Sequence, residues 1–310
     1  MSILHTPGRK VEAPTLAITI AIYGGFLALT WFFHDLPLLV AAPLASLLLA
    51  WHGSLQHETI HGHPTSWRHL NRLIGSPPLS LWIPYRVYRD THLRHHRHAG
   101  RRLTDPRHDT ESFYLPPGAL ATVGRLRRAV HSAHCTLAGR LLLGPGLAIY
   151  ALWSKELRKL YSGDRRHLFV WLRHTLGVTL VLVWTSVVCH VPLLVYACLI
   201  VYPAISLTLL RSFAEHRAHS DPKLRTTVVE AEAVWALILL NNNLHIAHHA
   251  HPKLPWYELP RAWRQMRASV IGSRLVAAGL VFQDGYFGVS RKFLFRPIIT
   301  AEHPAIGAVE

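Results

Sequence analysis

The sequence predicts an all-α integral membrane protein with four transmembrane helices in two hairpins and a cytoplasmic, histidine-rich helical cap. Three observations support this prediction. Half of the 310 residues are hydrophobic and only 16% are charged, whereas about a quarter of residues are charged in a typical soluble domain. The apolar residues gather in long runs, and lysine and arginine are absent from the short turns that join these runs in pairs.

The first hairpin is predicted at residues 16–33 and 36–56. The first run has no charged residue and is about as long as a helix needs to be to cross a bilayer. The second run follows after His34 and Asp35, so the chain turns back at once. We interpret the first run as an uncleaved anchor, since a cleaved signal peptide is shorter and differently flanked.

The second hairpin is predicted at residues 168–189 and 193–213, with His190, Val191 and Pro192 as its turn. A further apolar stretch, Thr136 to Leu152, is interrupted by Arg140 and by Gly144-Pro145-Gly146. We expect a broken interfacial or re-entrant helix there, with a true span as the alternative. The whole chain, 1–310, is predicted to form one domain, with residues 57–167 and 214–310 as the cap.

The distribution of basic residues predicts the orientation. The turns at residues 34–37 and 190–192 contain no lysine or arginine, whereas residues 57–167 contain 18 and residues 211–310 contain 12. The positive-inside rule therefore places both termini and the cap in the cytoplasm of a multi-pass inner-membrane protein. The net charge of +16 is assigned to this membrane face, and no nucleic-acid partner is predicted.

The most unusual feature of the composition is histidine, with 24 residues, beside only three cysteines without a CxxC motif. No disulfide framework or cysteine metal site is expected. Nine histidines form four clusters on the predicted cytoplasmic side: His57 and His61; His92, His95 and His96; His216; and His245, His248 and His249.

The spacing within these clusters predicts metal binding. Residues at i, i+3 and i+4 share one face of a helix, so each cluster presents its imidazoles together. Nine imidazoles exceed the three or four ligands that one zinc ion takes, and they suit two metal ions. Imidazole binds iron, copper, nickel and zinc, so the ligand type leaves the metal open. No catalytic residue is predicted outside this site.

The stretch HETIH, residues 57–61, also contains the HExxH pattern of zinc metalloproteases. In that interpretation Glu58 would be the general base of an intramembrane protease, and seven of the nine clustered histidines would have no role. Otherwise Glu58 is either part of a solvated helix face or a hydrogen-bond acceptor for a ligand histidine. A metal transporter is ranked last, because the spans hold almost no polar ligands.

The three segments HETIH, HLRHH and HIAHH together resemble the histidine boxes of the membrane fatty acid desaturase superfamily. This superfamily also includes alkane hydroxylases and carotenoid ketolases and hydroxylases. The resemblance extends from about residue 36 to residue 260, and the segments YRDTHLRHH, RSFAEHR and NNNLHIAHHAHPKLPW look most like bacterial fatty acid desaturases. It implies that the nine clustered histidines bind a non-haem di-iron centre that uses O2.

The resemblance leaves the outer ligand of one iron open. Stearoyl-CoA desaturases carry an asparagine four residues before the position of His216, and this sequence has Ser212 there. Asn241, Asn242 and Asn243 are alternative ligands or a polar helix cap. His63, which follows the first box closely, is a candidate supporting residue.

The activity implied by the resemblance is O2-dependent desaturation of a fatty acyl chain or membrane lipid. A di-iron hydroxylase or ketolase of a lipid, alkane or terpenoid is the alternative, since both reactions start by removing a hydrogen atom. Because no CxxC cluster or haem motif is visible, the electrons are expected from a separate ferredoxin, rubredoxin or cytochrome.

Overall fold

The computed structural model describes residues 11–97 and 102–304, and it is mostly helical, as predicted. The chain forms two compact units. The first unit comprises Met1–Arg89 and Pro145–Thr208, and the second comprises Asp90–Gly144 and Leu209–Glu310. The predicted cytoplasmic position of the termini concerns residues 1–10 and 305–310, which lie outside the described residues.

The described residues form fifteen α-helices, two short strands and several π- and 3-10-helical segments. The helices are α1 (Ala13–Trp31), α2 (Leu38–His61), α3 (Arg68–Gly75), α4 (Tyr85–Arg97), α5 (Ala119–Thr122), α6 (Arg125–His134), α7 (Leu137–Tyr161), α8 (Arg165–Leu182), α9 (Leu193–Val195), α10 (Tyr202–Glu215), α11 (Ala233–Ile238), α12 (His245–Ala250), α13 (Leu259–Arg267), α14 (Val270–Ala277) and α15 (Gly285–Phe293). The π-helical segments are Val183–Val188 and Tyr196–Val201, and the 3-10 segments are Phe33–Asp35, Pro222–Leu224 and Trp256–Glu258.

Helix α2 continues beyond the predicted end of the second run at residue 56 and includes all of HETIH. It ends at Gly62, whose φ of 104° lies in the left-handed region that glycine adopts readily. The first box therefore lies on the last turns of a long apolar helix. The predicted end of the membrane span at residue 56 therefore lies within this helix, and it stays a prediction.

Helix α7 is continuous over 25 residues, so the predicted break at Gly144-Pro145-Gly146 was wrong. A proline inside a helix removes one hydrogen bond, which helices in apolar surroundings can accommodate. The glycine has a packing reason: a Cβ at Gly144 would lie 2.7 Å from a methyl group of Leu209. Gly144 thus permits close approach to α10 without ending the helix.

Five of the described helical segments are long and apolar enough to cross a membrane, by length and composition. Four correspond to the predicted spans: Ala13–Trp31, Leu38–His61, Arg165–Val188 and Leu193–Glu215. The fifth is α7, for which we expected an interfacial helix. These apolar helices fit a membrane protein.

Buried polar side chains connect the helices of the first unit. The indole Nε1 of Trp184 donates to Thr30 Oγ1 at 2.9 Å, and the amide of Gln56 donates to the carbonyl of Gly75 at 2.8 Å. The hydroxyl of Tyr196 donates to the carbonyl of Leu79 at 2.7 Å. Each group is satisfied within an apolar surrounding, as buried polar groups require.

The second unit has its own hydrophobic core, which fixes the end of α10 and the loop before α12. The core residues come from α7, α10, α11, α15 and the strand β1 (Val228–Val229), with Phe213, Leu239 and Tyr286 at most 2% exposed. Strand β1 pairs in parallel with β2 (Val281–Phe282), Val228 opposite Val281. Asn243 donates its side-chain amide to the carbonyl of Val229 at 2.7 Å, which ties the loop to this pair.

Candidate metal centre

Helix α4 presents the second histidine box on one side. It is a very polar helix, YRVYRDTHLRHHR, yet His92 and His95 are 1% and 0% exposed. Burial of two imidazoles on a polar helix costs free energy unless their nitrogens find partners. Those partners are other histidines and two carboxylates of the following loop.

Four histidines of the second unit form a closed ring of Nε2 atoms, which we call the four-histidine set: His95, His216, His245 and His249. The Nε2 atom of His216 lies 3.1 Å from that of His95 and 2.9 Å from that of His245. The Nε2 atom of His249 closes the ring, 3.0 Å from that of His245 and 3.3 Å from that of His95. His95 is on α4, His216 directly follows α10, and the other two share one face of α12.

This ring fits a metal ion better than it fits a hydrogen-bond network. A neutral imidazole carries a proton on only one of its two nitrogens, so an Nε2 atom cannot serve two neighbours as a donor. Ligands that bind one ion through metal–nitrogen bonds of about 2.0–2.1 Å lie roughly 3 Å from their neighbours. The observed separations have that size, and all the candidate ligand atoms lie within 4.8 Å of one another.

Three of the four opposite ring nitrogens of this set are held by acceptors. His95 Nδ1 donates to Asp109 Oδ1 at 2.7 Å, His216 Nδ1 to the carbonyl of Arg225 at 3.3 Å, and His245 Nδ1 to Asn242 Oδ1 at 3.2 Å. A proton fixed on Nδ1 leaves Nε2 unprotonated and oriented, as a ligand nitrogen must be.

A second group, the three-histidine set, consists of His92, His96 and His248. The Nε2 atoms of His96 and His248 lie 3.0 Å apart, and the rings of His92 and His96 have centroids 4.6 Å apart. His92 Nδ1 donates to Glu111 Oε1 at 2.9 Å. Their candidate ligand atoms also lie within 4.8 Å of one another, so this group could hold a metal ion as well.

The remaining two predicted ligands, His57 and His61, lie on the last turns of α2 in the first unit. Their ring centroids are 4.8 Å apart, so the two imidazoles lie side by side. Glu58 is 2% exposed, and its Oε1 lies 3.9 Å from His57 Nδ1. This burial excludes the solvated-face interpretation of Glu58.

When no metal ion is bound, burial and neighbouring charges determine whether each imidazole of the four-histidine set is protonated. Burial lowers the pKa of His216 to about 3, and it lowers the pKa values of His245 and His249 well below the usual range. These imidazoles are therefore neutral at pH 7. For His95 burial acts in the same direction, but the carboxylates of Glu111 and Asp109 outweigh it and raise its pKa to about 9. Metal binding at His95 would thus displace a proton.

Ser212 lies on α10, four residues before His216, where the desaturase resemblance leads us to expect an outer ligand. Its hydroxyl donates to the carbonyl of Leu209 at 3.2 Å. It also lines a cavity of about 10 Å³ together with Asp109, Glu111 and His216. A cavity of this size is comparable to the space that one water molecule needs.

The three asparagines before the last box have different positions. Asn242 supports His245, as described above. Asn241 lies outside α12, and its amide donates to the carbonyl of Trp256 at 3.1 Å, while Asn243 is bound to Val229. His63 also has a partner of its own, because its Nδ1 lies 2.6 Å from Glu12 Oε1.

Glu215, the last residue of α10, had no role predicted from the sequence. Its Oε1 lies 3.3 Å from His245 Nδ1 and 2.9 Å from Arg211 Nε, and the residue is 6% exposed. Arg211 and Glu215 are four residues apart at the end of an apolar run. A charge pair at i, i+4 beside a box histidine was the signal that could have identified it.

Comparison with known proteins agrees with this geometry. A family model described as Fatty acid desaturase matches residues 34–276, which is most of the chain. No individual curated protein matches it. The matched region contains all nine clustered histidines and both convergent histidine sets, and the chain belongs to the fatty acid desaturase family.

Proposed function

We propose that the protein is a membrane-bound di-iron enzyme that desaturates a fatty acyl chain or lipid with O2. The observation that carries this proposal is the ring of four Nε2 atoms, beside a second convergent set, in a chain of the desaturase family. Family membership implies an oxidoreductase. The identity of the metal as iron, the number of ions and the outcome of the reaction belong to the proposal.

In this proposal the four-histidine set holds one iron and the three-histidine set holds the other. His57 and His61 complete the second ligand set, on the grounds of their spacing and the family resemblance. The two ions would supply the O2-derived oxidising power that removes hydrogen from an unactivated methylene, which side chains cannot do. The imidazoles are neutral ligands, and Asp109, Glu111 and Glu215 orient them.

The overall reaction is balanced by an external reductant. Desaturation removes two hydrogen atoms from the acyl chain, and O2 with two further electrons and two protons is reduced to two water molecules. We propose a separate ferredoxin, rubredoxin or cytochrome as the donor.

The four-histidine set also bears on how often the chain crosses the membrane. His95 and His216 are neighbours at 3.1 Å within the second unit, so an even number of crossings must connect them. Three candidate spans lie between them: α7, Arg165–Val188 and Leu193–Glu215. At most two of the three can cross. We propose that α7 does not, because it is the least apolar candidate and carries the buried Arg140.

A labelling experiment tests this topology. Ser162 after α7 and Ser269 before α14 are each replaced by cysteine in a protein without Cys135, Cys189 and Cys198. An impermeant thiol reagent is then applied to membrane vesicles of both orientations. Both positions are expected to react from the same, cytoplasmic side. Reaction from opposite sides would show that α7 crosses and would contradict the proposal.

Two alternatives differ from desaturation in measurable ways. A di-iron hydroxylase or ketolase would use the same histidines but leave oxygen on the product. A zinc protease would need only His57, His61 and Glu58, and it would leave the four-histidine set without a purpose. The convergence of that set therefore favours a metal oxidase over a protease.

The decisive experiment is lipid mass spectrometry of cells with the protein, a ferredoxin–reductase pair and varied acyl lipids. Desaturation is expected to give products two mass units lighter, and hydroxylation would give products sixteen units heavier. The His245→Ala variant is the inactive control, and His131→Ala, outside the clusters, should stay active. An unchanged lipid profile, or a purified protein that holds zinc and no iron, would overturn the proposal.

A further inference from the structure

A cluster of exposed basic residues lies where α7 and α8 meet in the first unit. We call it the basic tip, and it consists of Lys155, Arg158, Arg165 and Arg166. All four are exposed, and the helices they belong to are joined by only three residues, 162–164. None belongs to the histidine sets or to the desaturase chemistry described above.

The acidic residues near the basic tip are already engaged. Glu156 is 1% exposed and lies 2.6 Å from Lys159 Nζ and 2.7 Å from His167 Nδ1. Asp164 caps α8, since its side chain accepts from the backbone nitrogens of Arg166 and His167. The four tip residues form no ion pair with another described side chain, so their positive charge is not neutralised locally.

The tip is also held in a fixed shape. Glu156 on α7 accepts a hydrogen bond from Trp171 Nε1 on α8 at 3.1 Å. The rings of Trp153 and Trp171 pack with centroids 4.5 Å apart. These contacts join the end of one helix to the start of the other, so the basic residues of both helices are arranged together before any ligand binds. Such preorganisation reduces the entropy lost on binding.

An exposed apolar stripe starts one turn after the tip on α8. Leu168, Leu172, Leu176 and Leu180 follow at intervals of four residues and are 46–64% exposed. Residues with this spacing lie on one face of a helix. On the tip side, Tyr161 is 88% exposed, and tyrosine is typical of the headgroup level of a bilayer. The positively charged surface of the basic tip is therefore continuous with the exposed apolar surface of α8.

We propose that the basic tip binds the headgroup of an anionic membrane phospholipid whose acyl chains lie along the leucine stripe of α8. The four cations attract the phosphate, since basic residues near an anionic membrane surface are drawn to its headgroups. The stripe favours a lipid over a free phosphate or a soluble acidic protein, because only a lipid has acyl chains that can contact the stripe while its headgroup is bound at the tip. The tip would anchor this end of the protein to an anionic membrane surface.

The test uses the complete protein with its metal, freed of lipid in a zwitterionic detergent. Phosphatidylglycerol or phosphatidylcholine is then titrated, and bound lipid is counted by native mass spectrometry. The test variant is K155Q/R158Q/R165Q/R166Q. The matched control is R125Q/R127Q/R261Q/R264Q, which removes the same charge from exposed positions of the second unit. Wild type and control are expected to retain phosphatidylglycerol preferentially, and the test variant should bind it at least tenfold more weakly.

Several outcomes would overturn the inference. If the control variant lost as much phosphatidylglycerol binding as the test variant, the lipid would be attracted by the net charge of the protein alone. Equal retention of the two lipids would show no headgroup recognition, and competition by soluble glycerol phosphate would show a free-phosphate site. If the test variant bound lipid like the wild type but accepted electrons more slowly, the basic tip would be a docking site for a protein electron donor. Because the readout is lipid binding, it is independent of whether the enzyme desaturates.

Folding of the test variant is checked by its metal content and its thermal unfolding. If four substitutions impair folding, R165Q/R166Q is compared with R125Q/R127Q in the same titration. A double variant that binds phosphatidylglycerol as tightly as its control would then contradict the inference.

Discussion

The two histidine sets of the second unit differ in how deeply the carboxylates that support them are buried. The four-histidine set forms a closed ring of Nε2 atoms, and three of its Nδ1 atoms have an acceptor. In the three-histidine set, His92 has the carboxylate of Glu111. The side chain of Asp109 is 1% exposed, whereas that of Glu111 is 28% exposed.

This difference indicates two sites of unequal affinity. Ligand nitrogens that are oriented by buried partners lose little entropy when the ion binds, and water does not compete for the supporting carboxylate. The four-histidine set should therefore hold its metal more tightly. The three-histidine set depends on additional ligands, for which we propose His57 and His61.

The largest effect is expected from removing one ligand of either set. His245→Ala and His248→Ala should each reduce desaturation at least a hundredfold, because the proposed reaction needs both irons. Metal analysis should show about one iron per chain in each variant, whereas the wild type should hold two. The control His131→Ala should keep both. If either single variant lost both irons, the two sets would form one inseparable site.

A second test compares the supporting carboxylates. Asp109→Asn is expected to lower the affinity of the four-histidine set about 10–100-fold, the usual cost of losing such a partner. Glu111→Gln should have a smaller effect, since water can replace an exposed acceptor. Competition with a chelator of known affinity measures both. A larger effect for Glu111→Gln would reverse the proposed ranking of the two sites.

A chelator titration of the wild type tests the same ranking without substitution. Two phases are expected, and the weaker ion, released first, should come from the three-histidine set. The assignment is checked with His248→Ala, in which the first phase should be missing. A single phase for two ions would contradict the inequality of the sites.

Replacing Glu215 should have a mixed and moderate effect. His245 keeps Asn242 as an acceptor, so Glu215→Gln should lower metal affinity less than Asp109→Asn does. Arg211 would lose a charged partner, which should reduce the free energy of unfolding by about 1–3 kcal/mol. Thermal unfolding and metal analysis separate the two contributions. Unchanged stability would show that the Arg211–Glu215 contact is unimportant.

The smallest effect is expected for Glu58→Gln, which distinguishes the oxidase from a protease. Iron content should be unchanged and activity should fall less than tenfold, because Glu58 Oε1 lies 3.9 Å from His57 Nδ1, beyond hydrogen-bond distance. A zinc protease would lose all activity on the same substitution. Abolished turnover with full metal content would give Glu58 a role in the chemistry.

The candidate ligand histidines could be predicted from the sequence, because the spacing that places residues on one face of a helix is a local property. Residues at i, i+3 and i+4 share a face wherever the helix lies, so His92, His95 and His96 were identifiable from sequence. The pairing of His95 with His216 and His249 joins residues more than a hundred positions apart, and no local rule contains that information. The family resemblance supplied it.

Other features depended on contacts that a single sequence does not reveal. The close approach of Leu209 to α7 is one such contact, since a Cβ at Gly144 would lie 2.7 Å from a methyl group of Leu209. Glu215 was quoted within RSFAEHR but received no role, because its significance comes from a neighbour on α12. Asp109 and Glu111 accept hydrogen bonds from His95 and His92, and these contacts join α4 to the following loop over 14 and 19 residues.

The π-helical segments on either side of the second turn, Val183–Val188 and Tyr196–Val201, affect how this hairpin tolerates insertions and deletions. A π-helical turn bonds residue i to i+5 and so contains one residue more than an α-helical turn. Deleting one residue from such a segment would convert it to α-helix and leave the rest of the helix in its present orientation. Deleting a residue elsewhere in the same helix would rotate every later side chain by about 100°. These two segments are therefore the positions where chain length can change without turning the faces of the hairpin.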